Sequence, residues 1–234
     1  MKAMILAAGR GERMRPLTDS TPKPLLKVGG KALIVWHIEN LVRDGFTDII
    51  INHAHLGHQI ETALGDGQQF GAHIRYSPEA EALETAGGIA QALPLLGKDP
   101  FLVVNGDIYI EYDFRRAHEM GMAMRANAEL FAAYLVLVDN PLHHPLGDFA
   151  LEHSKLKLNG GPLLTFTGVA VYQPDNFRDI ECGTKAKLAP LLKTLIEYDL
   201  VRGEHFRGRW VDVGTPQRLT VLDRLLTRGT VDSL

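Results

Sequence analysis

Lys2-Ala3-Met4-Ile5-Leu6-Ala7-Ala8-Gly9-Arg10-Gly11-Glu12-Arg13-Met14-Arg15 joins a short apolar run to a basic loop with two glycines. Residues 2–7 read as a buried strand. Glycines directly after a strand let the backbone come close to a phosphate. Ala7 and Ala8 leave room for a flat base or a sugar. Arg13, Arg15 and Lys23 add charge, and the arginines can make forked contacts to phosphate oxygens. The loop has Gly-x-Gly, but not Gly-x-Gly-x-x-Gly, and no Gly-Lys-Ser/Thr follows. Neither a dinucleotide fold nor a Walker-type ATPase is supported.

The first half alternates short β-rich runs with helical patterns. Residues 8–24 are a long loop. Across 31–43, Leu33, Ile34, His37, Ile38, Leu41 and Val42 share one helical face. Strands are expected at 48–52, 73–77 and 101–104, and helices at 57–64 and 85–96. This order predicts an α/β fold, a Rossmann-like, mostly parallel central sheet with helices on both faces. Right-handed crossovers put the C-terminal strand ends on one edge, where ligands of such sheets bind. The basic loop and Asn105-Gly106-Asp107 both fall there. The second half is different. A helix at 113–125, strands at 128–138, 149–151, 164–172 and 209–213, and helices at 187–198 and 216–226 suggest a mixed or antiparallel extension. The expectation is a single domain over 1–234.

Charge is unevenly spread. Residues 1–31 carry seven basic and two acidic side chains, a balance of +5. The whole chain has a formal charge of -3, so the remainder carries -8. The overall balance argues against a nucleic-acid binder. The one cysteine, Cys182, excludes an internal disulfide and fits a cytoplasmic protein. The longest apolar run, 130–138, has nine residues, short of the ~18 of a membrane span. The start, 1–8, imitates a secretion signal, but its apolar core is too short.

The run from Leu6 to Leu25 closes in Thr21-Pro22-Lys23-Pro24-Leu25 and resembles the N-terminal signature of the sugar-1-phosphate nucleotidyltransferases. The likeness continues through Gly29-Gly30-Lys31-Ala32-Leu33-Ile34, Leu83-Glu84-Thr85-Ala86-Gly87-Gly88, Val104-Asn105-Gly106-Asp107, Thr167-Gly168 and Trp210-Val211-Asp212-Val213-Gly214-Thr215. Four further stretches resemble a uridylyl-transferring branch of that family. They are Ile51-Asn52-His53-Ala54, Leu137-Val138-Asp139-Asn140-Pro141, His143-His144 with Gly147-Asp148-Phe149, and Gly203-Glu204-His205-Phe206. The resemblance implies a nucleotide-diphospho-sugar transferase fold, with a nucleotide-binding half at 1–112 and a sugar-binding half at 113–234. It implies UTP and a sugar 1-phosphate as substrates and Mg2+ as cofactor. A guanylyl-transferring relative and a non-catalytic nucleotide sensor are the rival readings.

The resemblance also implies residue roles. Asp107 and Asp212 would hold the metal, since magnesium takes carboxylate and phosphate oxygens and keeps several waters. Arg15, Lys23 and Asp107 form the catalytic set, with Arg15 on the leaving pyrophosphate and Lys23 between the two reacting phosphates. The nucleotide would meet Ala7, Ala8, Gly9, Gly11, Glu12, Arg13, Lys23, Thr85, Gly88, Asn105 and Gly106. Either Glu79 or Glu81 would face the base. The sugar would meet Asn105, Asp139, Asn140, Gly147, Thr167 and Gly168. An acceptor with a lactyl carboxylate could pair with Arg202, Arg207 or His205. No Glu-Lys-Pro segment follows Gly147, although many hexose-1-phosphate relatives use one for the sugar.

Other features have plainer readings. His53, His55 and His58 lack a zinc-site spacing and read as a strand end and helix cap. His143-His144 reads as loop surface. Trp36 reads as core packing, and Cys182 has no matched histidine. Leu191, Leu192, Leu195 and Ile196 read as a buried helical face, so a monomer or weak homodimer is expected.

Overall fold

The structure is a computed structural model and describes residues 1–127 and 129–229. The first half runs β1 (Ala3–Leu6), α1 (Leu17–Ser20), β2 (Lys27–Val28), β3 (Lys31–Ala32), α2 (Leu33–Arg43), β4 (Asp48–His53), α3 (Gly57–Leu64), β5 (His73–Pro78), α4 (Glu84–Leu96), β6 (Phe101–Asn105) and β7 (Ile108–Ile110). The second runs α5 (Phe114–Ala126), β8 (Ala133–Val138), β9 (Phe149–Glu152), β10 (Lys155–Lys157), β11 (Leu163–Tyr172), α6 (Leu188–Glu197), β12 (Val201–His205), β13 (Trp210–Asp212) and α7 (Pro216–Gly229).

One nine-stranded sheet passes through both halves in the order β5-β4-β1-β6-β11-β8-β12-β10-β9. β5, β4, β1 and β6 are parallel. β11 then joins β6 antiparallel, and the extension is mixed, because β12 pairs with β8 in parallel. The parallel core is therefore four strands wide.

Side-chain alternation decides how the sheet is covered. Ala3 and Ile5 of β1 face one core with Ile49 and Ile51 of β4 and Leu102 and Val104 of β6. α2, α3 and α5 close that face through Ile34, Ile38, Ile60, Leu64 and Ala117. Met4, Ile50, Phe101 and Val103 face the other core, closed by α4 and α6. There Leu192 and Ile196 are buried, and Leu191 and Leu195 pack beside them, so the apolar face of α6 is internal. Among the described residues, no helix is long and apolar enough to cross a membrane.

Some elements differ from the sequence expectation. The loop at 8–24 contains α1 and two short 3-10 turns, Glu12–Met14 and Lys23–Leu25. The strand expected from residue 128 begins at Ala133, and Ala128 lies outside the described residues. β12 has no counterpart among the expected strands, because Val201-Arg202-Gly203-Glu204-His205 has no apolar run. Its pairing with β8 supplies what its side chains lack. The stretch after Asp107 is strand β7, which pairs antiparallel with β13 in a separate two-stranded ribbon.

His37 of α2 is buried beneath this ribbon, with Nε2 2.8 Å from the carbonyl of Ile108. A carbonyl only accepts, so Nε2 carries the proton of the neutral ring. Burial pushes the His37 pKa down to about 4 from 6.5, offset in part by the Ile108 bond and by the Asp107 charge. A depressed folded pKa gives stability that is present above pH 6.5 and lost as pH falls towards 4. The shift corresponds to about 3 kcal/mol. Denaturant titrations from pH 7 to pH 4 should therefore show a flatter decline for His37→Gln than for the unmodified chain. Parallel declines would refute the buried neutral histidine.

Candidate active site

The loop after β1 is shaped by Gly11. Its φ of +67° is left-handed, and the amide of Met14 donates to its carbonyl over 2.8 Å. A Cβ there would sit 3.0 Å from the Thr18 methyl and 3.2 Å from Lys23 Cβ. Thr18 is buried and donates to the Gly11 carbonyl over 2.9 Å. These contacts fold the loop back so that Lys23 lies under it.

After β6 the chain stays flat against β1. The amide of Gly106 donates to the Leu6 carbonyl over 2.8 Å, and a Cβ on Gly106 would lie 2.7 Å from that oxygen. Gly106 thus lets Asn105 and Asp107 stand beside the glycine loop. The Lys23 ammonium donates to Asp107 Oδ2 over 2.7 Å. Lys23 is buried, its side chain only 7% exposed, whereas that of Asp107 is 40% exposed. The lysine is fixed by the fold, and the carboxylate keeps an open side.

A cleft of about 440 Å³ opens at this edge. Leu6, Ala7, Ala8, Gly9, Gly11, Glu12 and Arg13 line one wall, and Asn52, Glu84, Thr85, Asn105 and Asp107 line the others. Met14, Lys23, Pro24, Ala82 and Gly214 complete it. A second cleft of about 390 Å³ shares Arg13, Asn105 and Asp107 with the first. Its own lining includes His143, His144, Asp148, Thr165, Thr167, Trp210 and Asp212. The β7–β13 pairing places Asp212 opposite Ile108, and the amide of Val213 donates to the Asp107 carbonyl over 3.1 Å. Two carboxylates distant in sequence are thereby brought to one cleft. Among the described residues there is no group of three or more His, Cys, Asp or Glu that could hold a metal by itself. A pair of carboxylates open to a phosphate-sized cleft suits a hard cation that takes its other ligands from water and substrate.

Several expected residues stand just outside the clefts. Glu79 is buried, and its carboxylate accepts from the Asn52 amide over 2.6 Å and from the Leu83 amide over 2.8 Å. Asn52 Oδ1 in turn accepts from the Ala7 amide over 2.9 Å. Glu79 thus lies behind Asn52, which faces the cleft. Gly88 packs against the Glu79 carboxylate, where a Cβ would be 2.6 Å from Oε1. Glu81 is exposed and pairs with Lys185 at 2.7 Å. Arg15 lines neither cleft, and its guanidinium is 3.1 Å from Asp19.

On the sugar side, Thr167 and Asn105 line the second cleft, and Gly168 packs on Asn105 within a register shift of β11. Asn140 is occupied by the carbonyl of Leu163 at 2.9 Å and the hydroxyl of Thr165 at 2.8 Å, with Gly147 packed against it. Asp139 Oδ1 is 2.9 Å from His205 Nε2, at an angle that makes no hydrogen bond. Arg202 donates to the carbonyls of Asp199 and Leu130. Neither cleft is lined by Arg202, His205 or Arg207.

Other residues reach the site without having been singled out for it. Asn52 was noted only as part of a resembling stretch. His143 and His144 line the second cleft and are not plain loop surface. His144 Nε2 is 3.0 Å from Asp148 Oδ1, whose other oxygen accepts from the Phe166 amide. Arg218 of α7 donates to Asp212 Oδ2 over 2.9 Å and contacts His143 Nε2 at 2.5 Å. Like Asn52, the two histidines belong to a stretch that resembles the family, and their own reading is loop surface. Arg218 carried no signal, because an arginine on an amphipathic helix is ordinarily solvated.

Comparison with known proteins gives the family. Residues 2–147 match the family model described as nucleotidyl transferase. The chain is 57% identical over 223 residues to the N-acetylmuramate alpha-1-phosphate uridylyltransferase of Neisseria meningitidis serogroup B, covering 94% of this chain and 95% of that protein. It is 31% identical to the mannose-1-phosphate guanyltransferase of Hypocrea jecorina, over 93% of this chain and 62% of that longer protein. Among solved structures, a Bacillus anthracis protein assigned as a glucose-1-phosphate thymidylyltransferase superposes with a TM-score of 0.84 at 24% identity, covering 97% of this chain and 95% of that one. The family-model match over most of the chain and the near full-length sequence match place the chain in the nucleotidyl transferase family.

Proposed function

We propose that the protein transfers a uridylyl group from UTP to N-acetyl-α-muramate 1-phosphate, releasing pyrophosphate and UDP-N-acetylmuramate. The carrying observation is the near full-length 57% identity to a uridylyltransferase of that name. In this chain two clefts meet at Arg13, Asn105 and Asp107. A nucleotide in the first cleft and a sugar phosphate in the second would bring their phosphates together at that junction. The halves 1–112 and 113–234 then serve donor and acceptor. The lower identity to the guanyltransferase favours guanylyl transfer less.

In the reaction, a phosphate oxygen of the sugar forms a bond to the α-phosphorus of UTP. The bond from that phosphorus to the bridging oxygen breaks, and its electron pair leaves with pyrophosphate. The nucleophile is already anionic, so no general base is required. The obstacle is bringing two anions together. Two unit charges ~4 Å apart repel by about 4 kcal/mol at an effective dielectric of 20. Lys23, fixed beneath the loop, opposes this between the α-phosphate and the acceptor phosphate. Arg13 and the loop amides from Gly9 onward hold the triphosphate. Arg15, released from Asp19, takes the leaving pyrophosphate. Asp107 and Asp212 would hold Mg2+, which would supply further charge neutralisation at the phosphates.

The clefts also divide recognition. Ala7, Thr85 and the outward edge of Asn52 are the groups available to the base, with Glu79 holding Asn52 from behind. Asn105, His143 and His144 are the polar side chains available to the acceptor and its lactyl carboxylate, because the buried hydroxyls of Thr165 and Thr167 donate to Asn140 and to the Val136 carbonyl. A UTP donor and the single cysteine support a cytoplasmic site of action.

Pyrophosphate release measured for each nucleoside triphosphate against several sugar 1-phosphates tests the reading. UTP with N-acetylmuramate 1-phosphate should give the highest kcat/KM, and a GTP-dependent, UTP-independent reaction would overturn it. Lys23→Ala should lower turnover at saturating substrate at least ~100-fold, as loss of a donor to developing charge does. Asp107→Asn should abolish magnesium-dependent turnover, and full activity with an unchanged magnesium dependence is the contrary result.

A further inference from the structure

Asp107 and Asp212 are each already paired with a cation of the protein. Lys23 sits 2.7 Å from Asp107, and Arg218 sits 2.9 Å from Asp212. The second pair is well enclosed, with Arg218 20% and Asp212 24% exposed. Arg218 is also held by its helix. Its amide donates to Thr215 Oγ1 over 3.3 Å in the first turn of α7. Leu222 is buried against Val28, Leu33, Tyr109 and Val213. Asp223 accepts from the Gly29 amide over 2.8 Å. The guanidinium is thus delivered to Asp212 by a docked helix, and its contact with His143 Nε2 fixes it on a second side.

We propose that Arg218 is a counter-cation that keeps the affinity of the Asp107–Asp212 site for a bare divalent cation low until nucleotide phosphates arrive. The proposal rests on the metal reading given above. Two carboxylates, one lysine and one arginine sum to zero charge, and Arg13 stands on the boundary of both clefts. A bare divalent cation therefore meets two aspartates each already neutralised by a fixed cation, while the other acids of the clefts, Glu12, Glu84 and Asp148, lie outside these pairs. A triphosphate supplies negative charge at the metal and gives Arg13, which lines both clefts, an alternative partner. Metal and nucleotide then reinforce each other, and the reinforcement is reciprocal by linkage. Removing the Arg218 charge leaves one carboxylate uncompensated, so the site should accept the metal without waiting for nucleotide. A purely structural role would predict the reverse, because loss of Arg218 would loosen Asp212 and weaken the metal.

The probe is Mn2+, titrated by electron paramagnetic resonance of the free ion, with and without a non-hydrolysable UTP analogue. The unmodified protein should bind Mn2+ more tightly in the presence of the analogue, and equal affinities overturn the proposal. Arg218→Gln should bind Mn2+ alone at least ~5-fold more tightly than the unmodified protein, with a smaller gain on adding the analogue. Unchanged or weaker binding of Mn2+ alone by a folded Arg218→Gln protein also overturns it. Arg218→Lys keeps the charge and should keep most of the coupling; loss of coupling in this variant, folded by its melting curve, counts against a charge effect. Asp107→Asn separates the two readings. If it leaves Mn2+ binding intact, the metal assignment and this inference fall together. If it abolishes binding while Arg218→Gln is neutral, this inference falls alone.

Discussion

The pairing of β7 with β13 is the constraint on which the site depends. The nine-stranded sheet by itself would leave Asp107 at a strand end and Asp212 in a distant tail. Three residue pairs, Trp210 with Ile110, Val211 with Tyr109 and Asp212 with Ile108, draw the tail across the open edge. That crossing sets Asp212 beside Asp107 and places Trp210 in the wall of the second cleft, its indole donating to the Thr167 carbonyl over 3.0 Å. It also starts α7 where Arg218 can reach Asp212. The ribbon is held on its inner side by the small core of Val28, Leu33, Tyr109, Val213 and Leu222 and by the neutral His37 on Ile108. On its other face Ile108, Ile110 and Trp210 pack against the main core, so burial on both faces fixes where Asp212 stands.

A second chain of contacts steadies the opposite wall. Glu79 follows β5, Asn52 is the penultimate residue of β4 and Ala7 follows β1, so the Glu79–Asn52–Ala7 bonds link three neighbouring strand ends. The carboxylate can only accept, which forces the Asn52 NH2 towards it and the Asn52 oxygen towards the Ala7 amide. A buried acid thus chooses which way an amide at the cleft points. Gly88 is needed for the same reason, because any side chain there would push into Glu79.

Local signals in the sequence carried the parallel core and the position of the glycine loop, because both rest on short-range pattern. β1 has the apolar run of a strand buried on both faces, and α3 was placed at its observed residues. What escaped depended on partners remote in the chain. β12 is polar and becomes a strand only beside β8. β7 looked like the exit of a turn until β13 came back to it. The same holds at the site. Gly9, Gly11, Arg13, Lys23, Thr85, Asn105, Asp107 and Asp212 line the clefts, and all were flagged from motif-like stretches. Arg218, His143 and Asn52 owe their position to tertiary contacts of α7, the 139–147 loop and Glu79. No spacing rule links them to the residues they touch.

The split between a basic head of +5 and an acidic remainder of -8 has its counterpart in these contacts. Lys23 from the head meets Asp107 from the body, so part of the imbalance cancels inside the fold. Had the head alone met the ligand, its charge would favour any polyanion. Had the carboxylates stood alone, they would favour any divalent cation. With Lys23 on Asp107 and Arg218 on Asp212, neither ion is strongly favoured without the other. The pairing costs affinity for each separate ion and favours the two together, which is the form in which a nucleoside triphosphate and its metal would be used.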